Sequence, residues 1–127
     1  MNHTKERASP GSEPVRADFV PVSDYISREF LQLENERMWP RVWLMACRVE
    51  ELAGPGSFVT FDIVRDSILL VRQPSGELKA FHNVCPHRGR RIREHAGRDT
   101  ELRCAFHGFA WELNGCLKQV PCQWDFP

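Results

Sequence analysis

The sequence lacks a surplus of charge: 17 Lys and Arg stand against 17 Asp and Glu, so the formal net charge is zero. A general nucleic-acid binder carries a basic excess, and this chain has none. No run of 18 apolar residues is present, which excludes a membrane-spanning helix. The N-terminus has no apolar core of the kind that opens a secretory signal. From these absences a cytoplasmic chain without membrane or nucleic-acid partners is expected. Repeats and low-complexity tracts are also missing. So is the C-x₂₋₄-C turn on which most zinc knuckles are built. With 127 residues the chain has one domain's worth of core.

What is present is a pair of short segments that each offer one thiolate and one imidazole. The first is Cys85-Pro86-His87-Arg88-Gly89 and the second is Cys104-Ala105-Phe106-His107-Gly108. Residues 88 to 103 lie between His87 and Cys104, which gives C-x-H, 16 residues, C-x-x-H. Two sulfur and two imidazole ligands suit zinc or an iron–sulfur centre. Because each turn mixes the ligand types, the spacing favours a two-iron cluster with unlike ends. In that arrangement Cys85 and Cys104 hold one iron, and His87 and His107 hold the other. Gly89 and Gly108 each follow a histidine and let the backbone turn closely. Pro86 stiffens the first loop. A zinc-stabilised binding module is the alternative for the same four residues.

The loops CPHRG and CAFHGFAW resemble the two cluster-binding loops of Rieske proteins. The segments ERMWPRVWLMACRVEEL and GSFVTFDIVRDSILLVR are similar to one branch, the alpha subunits of ring-hydroxylating, Rieske-type non-haem iron oxygenases. The resemblance runs from about Ser23 to the end. It implies one Rieske [2Fe-2S] cluster on Cys85, His87, Cys104 and His107. It also implies an oxidoreductase component of aromatic hydrocarbon breakdown, in a dioxygenase or monooxygenase. Electrons would come from a ferredoxin or a flavin reductase. They would pass to a mononuclear iron on a catalytic domain or a neighbouring subunit, with homotrimers common in the family. That iron needs two histidines and a carboxylate. With His87 and His107 assigned to the cluster, only His3, His82 and His95 remain, and they lie far apart. The catalytic domain is therefore expected outside these residues, and no catalytic residue is assigned within them. A stand-alone Rieske ferredoxin is the alternative electron carrier.

High-potential Rieske proteins of respiratory chains carry an extra, disulfide-bonded cysteine in each loop, and serine and tyrosine hydroxyls aimed at the cluster. Here Arg90 and Phe106 take the cysteine positions, and Phe109 and Trp111 take the hydroxyl positions. Fewer hydrogen bonds to sulfur imply a low reduction potential. Phe106, Phe109 and Trp111 are expected to screen the cluster. Arg88, Arg90, Arg91 and Arg93 are expected to form a basic face that can dock an acidic donor. Cys47, Cys116 and Cys122 read as free thiols in a reducing compartment.

The expected fold is mainly β: a Rieske-type antiparallel sandwich or small barrel, with a two-loop cluster subdomain and one N-terminal helix before it. Residues 1–22 read as a mobile tail, 23–40 as a lead-in helix and 41–127 as the Rieske domain, with cluster loops at 85–89 and 104–111. Ser27 is the expected helix cap and Pro40 its stop. Strands are expected at 42–49, 57–64, 68–72, 78–84, 110–113 and 116–120, with a short one ending at Cys104. Asn114-Gly115 predicts a type I′ hairpin.

Overall fold

The computed structural model describes residues 20–125. The expected tail, with His3, falls almost wholly outside them, as do the last two residues. The lead-in is a helical region with a break. Helix α1 spans Val22–Ile26 and α2 spans Arg28–Leu33. Between them Ser27 is extended, and its Oγ accepts the Phe30 amide at 3.1 Å. Ser27 thus caps the second helix as its residue type suggests. A π-turn over Glu34–Met38 and a 3₁₀ turn over Trp39–Arg41 complete the region. Pro40 sits in the 3₁₀ turn, where its missing N–H costs nothing, and the chain is extended from Val42.

The strand expected at 42–49 does not form. Val42 and Arg48 are extended, but no strand among the described residues pairs with 42–48, and Val49–Leu52 turns as a 3₁₀ helix. The apolar alternation survives without a ladder: Trp43 is 102% exposed and Met45 85% exposed, while Leu44 and Ala46 are half-buried. Hydrophobic pattern alone cannot supply the partner on which a strand depends.

Two antiparallel sheets carry the fold. Strands β1 (Ser57–Ile63), β2 (Asp66–Arg72), β3 (Leu78–His82) and β4 (Gly97–Arg98) form one sheet in the order β3-β2-β1-β4. Strands β5 (Leu102–Arg103), β6 (Ala110–Trp111) and β7 (Leu117–Gln119) form the other in chain order. Between β1 and β2 the turn is Val64-Arg65, since Ile63 pairs with Asp66. Val64 there has a φ of 54°, a costly conformation for a β-branched residue.

The β6–β7 hairpin departs from the expected type I′ turn. Gly115 has a φ of 91°, whereas Asn114 is not in the left-handed region. Gly115 donates to Glu112 O at 2.9 Å, and Glu112 donates to Cys116 O at 2.8 Å. The loop therefore has three residues and ends on a left-handed glycine, a bulged hairpin. Asn114 Oδ1 takes the Cys116 amide at 2.8 Å, so its side chain favours this turn over the two-residue one.

The sheets meet over one core. Phe58, Leu69 and Val71 come from the first sheet, Leu102 from the second and Leu113 from the hairpin loop, with Phe81, Ile92 and Trp111 packed around them. Leu69 and Leu102 lie close to the chain segments that lead into the two Cys/His loops, so this core fixes the platform beneath both. Leu69 is fully buried. Replacing it with alanine removes buried methyl groups and leaves a cavity, which should lower stability by about 2–5 kcal/mol. Chemical denaturation of Leu69→Ala against the parent protein checks this.

Candidate metal centre

Each Cys/His segment leaves a strand, turns back on itself and returns, and the two turns share one hydrogen-bond plan. In the first, Cys85 N–H donates to Arg90 O at 2.7 Å and Gly89 N–H donates to Cys85 O at 2.8 Å. In the second, Cys104 N–H donates to Phe109 O at 2.8 Å and Gly108 N–H donates to Cys104 O at 3.0 Å. Gly89 and Gly108 have φ of 72° and 75°. That conformation suits glycine and reverses the chain. A side chain at Gly89 would meet nothing within 4 Å, so the backbone angle is what requires glycine there.

Because the loops match, the offset of the histidine decides what each presents. His87 is two residues after its cysteine and His107 is three after its own. The structure sets the two cysteines side by side and the two histidines side by side. Cys85 and Cys104 are buried, and their thiols are close enough to hydrogen-bond. His87 and His107 are half-buried, with ring centroids 4.8 Å apart. Two sulfurs therefore lie inside and two imidazoles lie outside. Burial first, and then the neighbouring Cys104, push the Cys85 thiol up, against the main-chain N–H groups of His87 and Arg88 that hydrogen-bond it. Two adjoining thiolates away from water need cationic charge between them. The donor set thus fits a metal group. Among the described residues no three His, Cys, Asp or Glu side chains converge on a single ion. A two-iron cluster asks for two protein ligands per metal and not for such a convergence.

Residues 42–126 match the family model of the Rieske [2Fe-2S] domain. The chain belongs to that family. A Rieske [2Fe-2S] domain binds one Rieske-type cluster. This Rieske domain is 33% identical over 107 residues to the carnitine monooxygenase oxygenase subunit of Escherichia coli K12, covering 84% of the chain and 29% of that protein. It is 37% identical over 98 residues to the chlorobenzene dioxygenase alpha subunit of a Cupriavidus species, covering 76% of the chain and 22% of that protein. Its fold matches naphthalene 1,2-dioxygenase bound to phenanthrene with a TM-score of 0.74 at 32% identity, over 81% of the chain and 23% of that structure. The chain thus spans less than a third of the relatives it matches.

Aromatic rings flank the imidazoles of the domain. Phe109 stacks on His87 at 4.6 Å, and Trp111 follows Phe109 at 6.3 Å. Phe106 lies against His107 at 3.8 Å but is 57% exposed. Phe109 and Trp111 are half-buried behind His87, whereas Phe106 is an outward-facing apolar ring and not an inner screen. His82 and His95 are exposed, and all five cysteines are free thiols.

The four arginines do not form a single basic face. Arg91 pairs with Asp62 at 2.8 Å and Arg90 with Glu94 at 3.6 Å. Arg93 has a side chain only 15% exposed and turns inward. Arg88 is exposed and makes no ion pair with any other described residue.

Sequence reasoning missed the groups that hold the loops. Asn83 is buried two residues before Cys85, and its side chain makes four hydrogen bonds. Arg103, beside Cys104, donates through Nη1 to Gly108 O at 2.9 Å across the second loop. Glu101 accepts from Lys118 and Arg103, at 2.7 Å and 2.8 Å. An asparagine two residues before a ligand loop was the one sequence signal available. Nothing in the sequence separates Arg93 from its neighbours.

The bonds from Lys118 and Arg103 hold the Glu101 carboxyl below its ordinary 4.5. Its contribution to stability is therefore complete above pH 4.5 and is lost as the pH falls through the lowered value. Glu101→Gln should be less stable than the parent at pH 7, with the gap closing in acid. Thermal melts from pH 7 to pH 3 test this.

Proposed function

We propose that Cys85, His87, Cys104 and His107 hold the cluster, and that residues 41–127 form the electron-carrying domain of a Rieske oxygenase alpha subunit, with 23–40 as a lead-in. The observation that carries this reading is the pair of matched loops, with two adjoining buried thiols inside and two imidazoles outside. When bound, the cluster supplies a one-electron store. The protein's own residues do the rest. Cys85 and Cys104 anchor from the buried side. His87 and His107 present half-buried rings at the surface, the shortest way in or out for an electron. Phe109 and Trp111 keep water from one flank of His87.

The carnitine monooxygenase and chlorobenzene dioxygenase subunits support the oxygenase setting. So does a quaternary ammonium Rieske monooxygenase for which inter-subunit electron transfer is described, matched with a TM-score of 0.75 at 27% identity. By that reading the donor is a ferredoxin or a flavin reductase. The acceptor is a mononuclear iron on another domain or subunit, in a cytoplasmic oxygenase of trimeric type. Phe109 and Trp111 stand where hydroxyl donors would raise the potential. A value toward the negative end of the range of about −150 to +300 mV follows.

The deciding experiment measures iron, acid-labile sulfide and zinc in protein purified without air, with visible spectra before and after dithionite. Equal iron and sulfide, about two of each per chain, with a reducible spectrum is the expected result. Zinc without sulfide would overturn the reading.

Donor docking has its own test. Arg88, exposed and in no ion pair with another described residue, and Phe106, an exposed ring against His107, are the groups proposed to meet an acidic donor. Arg88→Glu should slow reduction by an acidic ferredoxin about tenfold or more at low salt, with the difference shrinking as salt rises. The cluster's own potential should change far less. Stopped-flow reduction at two ionic strengths reads both.

A further inference from the structure

Arg93 was expected at the surface with its neighbours, but its guanidinium lies between the two ligand loops. Nη1 donates to Arg103 O at 2.7 Å and to Ile92 O at 3.1 Å. Nη2 donates to Glu101 O at 2.9 Å and to Asp99 Oδ2 at 2.9 Å. The cation also sits over the Phe58 ring, 5.1 Å from its centroid, and so rests on the core of the first sheet. Arg103 immediately precedes Cys104. One end of this contact is therefore the entrance to the second loop.

The other end is the entrance to the first. Asn83 Oδ1 accepts the main-chain amides of Ile92 and Arg93 at 3.1 Å and 2.9 Å. Its Nδ2 donates to Arg93 O at 2.6 Å and to Ser67 Oγ at 3.1 Å. The Asn83 amide also donates to Ser67 O at 2.7 Å, on β2. A continuous path of hydrogen bonds thus runs from β2 through Asn83 and Arg93 to the residue beside Cys104.

We propose that Asn83 and Arg93 are positioning residues that set the separation of Cys85 and Cys104, and through it the electronic state of the cluster. This rests on the cluster reading above. The two loops are joined by no strand ladder of their own: β3 and β5 lie in different sheets. Side chains bridge the gap between them, and this path is part-buried and charge-assisted. A planar, multidentate guanidinium fixes several carbonyls at once in a way that a lysine ammonium cannot reproduce.

Arg93→Lys keeps the charge and breaks the geometry. Arg91→Lys, the same change two residues away, keeps the charge of an exposed pair with Asp62, makes no bond to either loop entrance and serves as the control. Both are compared with the parent in protein that carries its full iron and sulfide. The readouts are reduction potential, the spectrum of the reduced cluster and the rate of iron loss to a chelator. Loaded Arg93→Lys should show a displaced potential, an altered spectrum and iron loss about tenfold faster, as expected when charge-assisted bonds are lost. Arg91→Lys should match the parent. If loaded Arg93→Lys matches the parent in all three readouts, or Arg91→Lys shifts as far, the proposal is overturned. Should Arg93→Lys fail to fold, Asn83→Ser gives the same test from the other end, with the same outcomes. A parent protein without iron and sulfide would instead sink the cluster reading itself, which separates the two failures.

Discussion

Two thiols side by side, away from water, are the constraint on which this structure turns. As thiolates they repel each other and lose hydration, and burial already pushes the Cys85 thiol up. Such a pair is stable in its ionised form only around a cation, and only if the chain holds it in place before the cation arrives. The architecture around residues 85 and 104 answers that need. The first glycine-closed turn aims main-chain N–H groups at the Cys85 sulfur, and side-chain bonds through Asn83 and Arg93 bridge the approaches to both turns. The small sheets supply a platform and little else.

The matched turns also explain how one motif can present two chemistries. With the same hydrogen-bond plan in both loops, moving the histidine by one position changes which way its ring faces. His87 comes early and finds Phe109 behind it, whereas His107 comes late and lies against the exposed Phe106. The outcome is a centre with a buried thiol side and a half-buried imidazole side. An electron carrier needs this asymmetry: reactive sulfur shielded from water, and a short path to the surface.

Much of this was legible in residues alone. The Cys/His pattern named four candidate side chains; in the structure the two thiols adjoin and the two imidazoles adjoin. Strands β1 to β3 followed from alternation because each finds a partner in the next hairpin. Alternation failed at 42–48, where the same apolar pattern exists without a neighbouring strand. Asn114-Gly115 misled for a local reason: the Asn114 side chain takes the Cys116 amide and favours a three-residue turn. The arginines were the hardest to read. Four nearly adjacent guanidiniums look alike in sequence, yet Arg93 lies over Phe58 and binds four oxygens, while Arg88 is exposed and forms no ion pair with another described residue. Only the position of the second loop, set by contacts distant in the chain, tells them apart.

That division of labour among the arginines has a physical logic. Charge at the rim must be exposed to steer a partner, and a flexible, hydrated side chain costs little there. Charge between the loops must be desolvated, so it requires several acceptors and an aromatic face in return. Arg93 meets that requirement with main-chain carbonyls, which cannot be protonated and so hold it across the whole pH range. Asp99 adds to this from the partly exposed end. The carbonyl contacts of Arg93 are therefore indifferent to protonation, whereas exposed charge at the rim responds to pH and salt.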